Sequence, residues 1–219
     1  MLLIVKEQSE IKSTIRGVYL GSFDPVHNAH IDIPLKIKKE YHLDKIIYVP
    51  TGISPVGKIF KASKFDRIKM LENVVTPHKS LAINDYELSS LDTSYSINTL
   101  KYFKELYPQD KLRLIVGEDN FMSFTKWYKY LEIIEIVNII VLSRDNIMKC
   151  DKIDSIKVLF EENINLFNES MSGKIHFSRK HKSIVSSTII RECISRNESI
   201  MNYVSEENNK YIFNKGLYK

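Results

Sequence analysis

An alternation of buried strands and amphipathic helices is the feature that most limits how this 219-residue chain can fold. Short apolar runs bounded by glycine, proline or polar residues predict six strands: Ile15–Leu20, Lys45–Pro50, Leu81–Ile83, Lys111–Val116, Val137–Leu142 and Lys174–Phe177. Helical segments come between and after them: Ala29 onward, Ser63–Asn73, Tyr95–Tyr107, Phe121–Glu132, Ser186–Arg196 and Asn202–Asn214. This repeated alternation predicts an α/β fold with a parallel sheet and right-handed crossovers.

Polar loops follow three of the predicted strands, at Gly21–His30, Thr51–Lys58 and Gly117–Asn120. The carboxyl ends of parallel strands lie at one edge of a sheet, so we expect these loops to gather there. Ligands of such sheets bind outside this edge, near the point where the strand order reverses.

The helical patterns also place particular side chains. Pro34 is expected in about the first turn of the helix that starts at Ala29, where proline is tolerated. The only tryptophan, Trp127, is expected on the helix Phe121–Glu132. The inner side of the helix Ser63–Asn73 is expected to carry Phe65, Ile68, Met70 and Leu71.

Charge and cysteine content exclude some classes of protein. The net charge is +5, which suits an anionic ligand without requiring one. No Lys/Arg run is interleaved with aromatic residues, so nucleic acid is not an expected partner. Cys150 and Cys193 form no CxxC pair, which argues against a zinc site and a disulfide framework. With neither a signal peptide nor an apolar run near the ~20 residues that span a bilayer, a cytoplasmic location and no membrane partner are expected.

The loop Gly21–His30 lies between a predicted strand and the start of a helix. Free backbone N–H groups and the positive end of the helix dipole favour a phosphate there. His27 and His30, three residues apart, can neutralise charge on a phosphoryl oxygen. The alternative is a turn with one capping histidine. Zinc is a weaker interpretation, because no third ligand is obvious nearby.

A second candidate segment is Ser186–Arg191, at the start of a late helix. Its hydroxyl groups can cap the helix and donate to phosphate, and Arg191 lies about one turn further on with a planar fork suited to phosphate oxygens. The alternative is a simple N-cap followed by a surface arginine.

Together the two segments resemble the (T/S)FDPxHxGH and (I/V)SSTxIR motifs of the nicotinate-mononucleotide adenylyltransferase family. Further segments resemble blocks of that family in the same order: Tyr48–Pro55, Asp85–Leu88 with Ser94–Leu100, Leu114–Asp119 with Lys126–Trp127, and the tail Tyr211–Tyr218. The match covers roughly residues 15–144 and 174–219.

The resemblance implies a Rossmann-like, doubly wound domain over residues 15–219, with helices on both faces and a helical part from about residue 186. Residues 1–14 would be an N-terminal extension. The implied reaction joins nicotinate mononucleotide to the AMP part of ATP, giving deamido-NAD and pyrophosphate in NAD biosynthesis. The implied partners are these two substrates, with Mg²⁺ arriving on ATP rather than in a preformed protein cage.

The resemblance also assigns residues to the site. Its catalytic contacts to the phosphates are His27, His30 and Arg191. Its other ATP-binding positions are Gly21, Ser22, Phe23, Lys58, Gly117, Asp119, Ser187 and Thr188. Ser96 and Trp127 would form the pyridine pocket, with Trp127 stacking on the ring. Asp24 is expected to fix its loop by local hydrogen bonds rather than to act as a base.

Several positions depart from the family pattern and bear on the substrate more than on the reaction. The usual HxGH contains Asn28-Ala29 here, Val56-Gly57 precedes Lys58, and Ser96 replaces the usual threonine. A preference for nicotinamide mononucleotide is therefore one alternative. Trp127 as an ordinary core aromatic and Lys58 as a solvated loop residue are the plain structural alternatives.

Two other functions are alternatives to nicotinate-mononucleotide adenylyltransferase. Phosphopantetheine adenylyltransferase is a sibling with the same fold, but it usually has threonine at the position of His27. A non-catalytic nucleotide-binding module is disfavoured, because His30 and Arg191 are both present. A homo-oligomer remains open.

Overall fold

A computed structural model describes residues 13–143, 151–178 and 185–219. The expected extension over residues 1–14 lies almost entirely outside the described residues, as does Cys150. In the described part of the chain, no helix has the length and apolar character needed to cross a membrane.

One parallel sheet, in the strand order β3–β2–β1–β4–β5–β6, organises the molecule. The strands are β1 (Ile15–Gly21), β2 (Lys45–Pro50), β3 (Leu81–Ile83), β4 (Lys111–Gly117), β5 (Asn138–Leu142) and β6 (Ile175–Ser178). Each predicted strand is confirmed, with its ends shifted by one residue at most. The strand order reverses between β1 and β4, so their carboxyl ends flank the crevice in which doubly wound folds bind ligands.

Helices cover both faces of the sheet. They are α1 (Ala29–Glu40), α2 (Lys64–Val75), α3 (Tyr86–Ser89), α4 (Ser96–Leu106), α5 (Glu118–Phe121), α6 (Tyr130–Ile136), α7 (Ile164–Glu169), α8 (Ser187–Ser195) and α9 (Glu206–Lys215). Two short 3-10 helices span Phe124–Lys126 and Asp151–Leu159. This architecture confirms the predicted Rossmann-like α/β fold.

Two hydrophobic cores lie on opposite faces of the sheet. Along β2, Ile46 and Tyr48 belong to one core, whereas Ile47 and Val49 belong to the other. This alternation follows from the period of two in a β-strand, and both faces are apolar because helices cover both. The first core packs α1, α2, α8 and α9 on the sheet, and the second packs α4 and α6.

The predicted helix over Phe121–Glu132 is wrong in its extent. The structure divides this segment into α5, the 3-10 helix Phe124–Lys126 and the start of α6. Lys129 has the left-handed backbone angle φ 54°, which an α-helix cannot continue through, and α6 begins directly after it. Trp127 therefore lies between two helices rather than on one.

Three smaller expectations also need correction. Pro34 is the sixth residue of α1, beyond its first turn. Phe65 is 74% exposed, and Arg67 is buried instead on the inner side of α2. The last helix begins at Glu206 rather than near Asn202, because Ser205 accepts a hydrogen bond from the backbone N–H of Asn208 and caps it.

Candidate active site

The loop that follows β1 is compact because Gly21 allows the ring of Phe23 to fold back onto it. A Cβ atom at Gly21 would lie 2.8 Å from that ring, so a larger residue would displace it. Phe23 adopts the left-handed angle φ 48° and is buried in the first core. The two residues therefore determine the path of the loop toward α1, while the Ser22 side chain is only partly buried.

Asp24 fixes this loop through contacts to distant parts of the chain. Its side chain is 1% exposed, and its Oδ atoms accept hydrogen bonds from the backbone N–H groups of Lys61 (2.7 Å) and Ala62 (3.0 Å). The hydroxyl of Tyr218 donates a third, at 2.8 Å. Asp24 thus fixes its loop, but the expectation of local hydrogen bonds is wrong, because every one of these partners is remote in sequence.

The two histidines predicted at the site lie against each other. The rings of His27 and His30 stack with their centroids 3.6 Å apart, and the backbone N–H of His27 donates to Nδ1 of His30 at 3.1 Å. Because Nδ1 accepts, the neutral ring of His30 carries its proton on Nε2. Burial, and secondarily the nearby His27, lowers the pKa of His30 well below 6.5. His30 is therefore neutral near pH 7 and can donate through Nε2–H.

Pro34 contributes to the position of His30. A residue with an N–H group at position 34 would donate to the carbonyl of His30, four residues earlier in α1, but proline has no such group. The hydroxyl of Tyr48 donates to this carbonyl instead, at 2.7 Å. The first turn of α1 is thereby tied to β2.

The second predicted segment, at the start of α8, contacts the first one directly. The hydroxyl of Ser187 donates to the carbonyl of Pro25 at 2.9 Å. Arg191 donates from Nη1 to the carbonyl of Asp24 at 2.6 Å and from Nη2 to the hydroxyl of Thr188 at 3.1 Å. The structure therefore brings the two motifs together, although more than 160 residues separate these partners.

Positive charge accumulates beside these contacts. Lys58 donates from Nζ to the hydroxyl of Ser22 at 2.9 Å. Burial and the proximity of Arg191, with a smaller contribution from Arg67, lower the pKa of Lys58, although the nearby Asp24 acts in the opposite direction. A phosphate that binds here relieves the repulsion among the cations.

Sequence reasoning missed Arg67, which connects the loops after β1 and β2. Its Nη1 donates to the carbonyls of Ser22 (2.9 Å) and Thr51 (2.8 Å), and its guanidinium lies 4.1 Å from the ring centroid of Phe60. The side chain is 2% exposed. A signal was available, because Arg67 lies three and four residues before the inward residues Met70 and Leu71 of the same helix.

Gly117 and Asp119 lie at the carboxyl end of β4, on the other side of the crevice. Tyr19 of β1 pairs with Ile115 of β4, so Gly21 and Gly117 end the two strands at the same level. Open space surrounds the Cβ position of Gly117, and Asp119 is exposed at the start of α5. The adjacent Glu118 accepts a hydrogen bond from the hydroxyl of Ser143 at 3.1 Å.

The segments that carry Ser96 and Trp127 meet through their neighbours. Ser96 is the first residue of α4, and the half-buried Trp127 packs on Phe124 with ring centroids 5.4 Å apart. Tyr95 and Tyr128, which adjoin the two predicted residues, lie with ring centroids 4.6 Å apart. The structure thus brings the two segments side by side at the carboxyl edge of the sheet.

The described residues offer no metal centre, and one cavity that they do form lies away from this arrangement. Among the described residues, no group of three or more His, Cys, Asp or Glu side chains could hold a metal ion. A cavity of about 360 Å³ lies between α2 and β3, lined by Ile68, Glu72, Val75, Thr76, Leu81, Ala82, Ile83 and Asp85. None of these residues belongs to the segments Gly21–His30 or Ser186–Arg191, and only Asp85 belongs to a block that resembles the family, so the polar contacts define the site better than this cavity does.

Comparison with known proteins identifies the family. The profile of the cytidylyltransferase-like family matches residues 18–193. A protein of Aquifex aeolicus named probable nicotinate-nucleotide adenylyltransferase is 37% identical over 148 residues, which are 68% of this chain and 88% of the relative. A protein of the same name from Caldicellulosiruptor saccharolyticus is 32% identical over 210 residues, which are 93% of this chain and 98% of the relative. The chain belongs to the nicotinate-nucleotide adenylyltransferases.

A solved structure of this family supports the fold. The chain is 19% identical to the Plasmodium falciparum nicotinic acid mononucleotide adenylyltransferase solved with NaAD, with a TM-score of 0.71 over 94% of this chain and 97% of that one. In this chain the loop Gly21–His30 follows β1, at the edge where the strand order reverses.

Proposed function

We propose that this chain transfers the adenylyl group of ATP to nicotinate mononucleotide, forming deamido-NAD and pyrophosphate. The observation that carries the proposal is the contact of Arg191 and Ser187 with the backbone of the loop that holds His27 and His30. This contact between the two segments assembles a cationic, hydrogen-bond-donating surface at the crevice beside β1. Membership of the nicotinate-nucleotide adenylyltransferases identifies the reaction that such a surface serves.

The proposed reaction needs no covalent intermediate on the protein. An oxygen of the acceptor phosphate attacks the α-phosphorus of ATP, and the bond from that phosphorus to the bridging oxygen of pyrophosphate breaks. The bonding electrons leave with pyrophosphate, so negative charge accumulates on the leaving group. Catalysis then consists of aligning the reactants and stabilising that charge.

The side chains divide this work according to their chemistry. His30 donates its Nε2–H to a phosphate oxygen while remaining neutral, and His27 supports it from the stacked position. Arg191 and Lys58 supply full positive charges, and the hydroxyl of Thr188 supplies a short-range donor at the start of α8, where the hydroxyl of Ser187 is already bonded to Pro25. Because these groups are donors or cations, the surface is complementary to a triphosphate.

The same set of groups indicates how Mg²⁺ takes part. Asp24 is the carboxylate within the loop Gly21–His30, and three donors already occupy its oxygens. We infer that Mg²⁺ enters as part of the substrate Mg-ATP, coordinated by phosphates and water. It would add positive charge to the leaving pyrophosphate.

The acceptor is proposed to bind beyond β4, where the segments that carry Ser96 and Trp127 meet through Tyr95 and Tyr128. A flat pyridine ring can stack on the indole of Trp127, which is only half-buried. The names of the relatives favour the nicotinate form over the nicotinamide form. Ser96 would supply a hydroxyl near the ring substituent.

A pyrophosphate-release assay tests the proposal. Purified protein with Mg-ATP is offered nicotinate mononucleotide, nicotinamide mononucleotide or phosphopantetheine, first separately and then with the two pyridine nucleotides in competition. Pyrophosphate release with nicotinate mononucleotide as the preferred acceptor is expected. A preference for the nicotinamide form would correct the acceptor, release with phosphopantetheine alone would indicate the sibling activity, and no release with any acceptor would contradict the proposal.

A further inference from the structure

The segment after α9 reaches back to the loop that follows β1. α9 ends at Lys215 and is followed by Gly216, which has the left-handed angle φ 61°, and the backbone N–H of Leu217 closes the turn on the carbonyl of Ile212 at 3.0 Å. The turn carries Tyr218 to Asp24, where its hydroxyl donates to Oδ1 at 2.8 Å. A residue beyond the last helix therefore contacts the carboxylate that fixes the loop.

The backbone of Tyr218 is held in an unfavourable conformation to make this contact. Its φ is 67°, in the left-handed region that residues other than glycine seldom occupy. Such conformations persist when surrounding contacts impose them, and they concentrate at functional positions. Burial and the neighbouring Asp24 raise the pKa of Tyr218, so the phenol stays protonated and keeps donating.

The same aspartate connects Tyr218 to the groups that face the substrate. The carbonyl of Asp24 accepts the hydrogen bond from Arg191, while its carboxylate accepts those from Lys61, Ala62 and Tyr218. Without the hydroxyl of Tyr218, Oδ1 of Asp24 keeps one of its two donors. Any shift of Asp24 then moves the carbonyl on which Arg191 is anchored.

We propose that Tyr218 is a positioning residue for adenylyl transfer. Acting through Asp24, it holds the loop Gly21–His30 in the conformation that presents His30 and Arg191 to ATP. The expected effect of Tyr218 on turnover rests on the proposed function. Its expected effect on ATP binding rests on the geometry alone.

The chain offers a matched control for removing the hydroxyl. Tyr211, on α9, donates its hydroxyl to Oδ1 of Asp66 at 2.8 Å, which is also a tyrosine-to-aspartate hydrogen bond. That bond joins α9 to α2 and does not involve the loop after β1. Tyr218→Phe and Tyr211→Phe therefore remove the same chemical group at the same bond length, one at the loop and one away from it.

The experiment measures four quantities for the wild type and both variants: the melting temperature, kcat, the KM of each substrate, and the Kd of a non-hydrolysable ATP analogue. Tyr218→Phe is expected to lower kcat/KM for ATP and to raise the analogue Kd by about tenfold, as loss of a hydrogen bond to a charged group would. The KM for nicotinate mononucleotide should stay within twofold. Both variants should lower the melting temperature to a similar extent, because each loses one tyrosine-to-aspartate hydrogen bond. Tyr211→Phe should nevertheless leave the kinetic constants within twofold.

The outcomes separate this inference from the proposed function. Equal kinetic effects of the two variants, or an unchanged analogue Kd in Tyr218→Phe, would overturn the positioning role even if the wild type is fully active. A wild type that releases no pyrophosphate would overturn the proposed function, and the analogue Kd would still decide the role of Tyr218.

Discussion

The two sides of the crevice are held together in different ways. On the side proposed for the phosphates, here called the phosphate side, the loop Gly21–His30 with Lys58 and α8 is joined by polar bonds between residues that are far apart in sequence. On the side proposed for the pyridine ring, here called the pyridine side, the segments around Ser96 and Trp127 are joined mainly by contacts between aromatic rings. Tyr128 on that side is 51% exposed.

This difference bears on how each substrate would be recognised. Hydrogen bonds have narrow geometry, so a loop held by several of them presents its donors at fixed positions, as phosphoryl transfer requires. Contacts between rings allow more sliding and tilting, and the pyridine side is built from short helices around the strained residue Lys129. We expect the phosphate side to control turnover and the pyridine side to control the choice of acceptor.

Removing His30 tests the phosphate side most severely. His30→Ala removes the neutral N–H donor that we propose for the triphosphate, and we expect kcat to fall about 100- to 1000-fold, as for other preorganised donors to developing charge. The melting temperature should show that the variant is folded. His42→Asn, at an exposed position just beyond the other end of α1, is the control and should keep wild-type turnover. Turnover near wild type in His30→Ala would remove His30 from the mechanism.

Arg191→Lys separates charge from geometry on the same side. Lysine keeps the positive charge but cannot contact the carbonyl of Asp24 and the hydroxyl of Thr188 with one planar group, so kcat/KM for ATP should fall roughly 10- to 100-fold. Arg196→Lys is the control, because Arg196 is an exposed residue at the end of α8 that pairs with Glu192 and Glu198. Similar losses in both variants would show that the fork of Arg191 has no special role.

Trp127→Ala tests whether the pyridine side acts separately. Loss of the stacking surface should raise the KM for nicotinate mononucleotide about tenfold, while the KM for ATP changes less than twofold. Trp127→Phe keeps an aromatic ring and should restore most of the affinity. Equal increases in both KM values would contradict the separate roles of the two sides, since they would show that Trp127 supports the whole crevice rather than the acceptor site.

The sequence predicted the two sides unequally well, for a physical reason. The strands, the loop Gly21–His30 and the start of α8 were predictable because buried parallel strands and capped helix starts have strong local patterns. The break in the helix over Phe121–Glu132 was not, because it depends on the left-handed angle of Lys129, for which lysine gives no local signal.

The long-range contacts were also beyond the sequence patterns. Asp24 was expected to bond locally, as aspartate often does in turns, but a carboxylate this deeply buried needs several donors, and here distant segments provide them. Arg67 was missed although its position on the inner stripe of α2 is visible in the sequence. Charged residues are seldom assigned to a core, so its burial was not predicted.

The pH dependence of stability gives the smallest expected effect and probes the phosphate side without substrate. Burial lowers the pKa of His30 well below 6.5 in the folded chain, whereas the unfolded chain binds a proton near pH 6.5. The contribution that the neutral ring of His30 makes to the free energy of unfolding is therefore fully present above pH 6.5. It is lost as the pH falls toward the folded-state pKa of His30. Each proton bound only by the unfolded chain changes the free energy of unfolding by about 1.36 kcal/mol per pH unit.

Denaturant unfolding at several pH values between 7.5 and 5 measures this effect. The free energy of unfolding of the wild type should fall more steeply below pH 6.5 than that of His30→Ala, which lacks the group that resists protonation. His42→Asn removes an exposed histidine and should follow the wild-type curve. If His30→Ala followed the wild-type curve as well, His30 would be protonated as readily as a solvated histidine, and a neutral Nε2–H donor could not be part of the mechanism near pH 6.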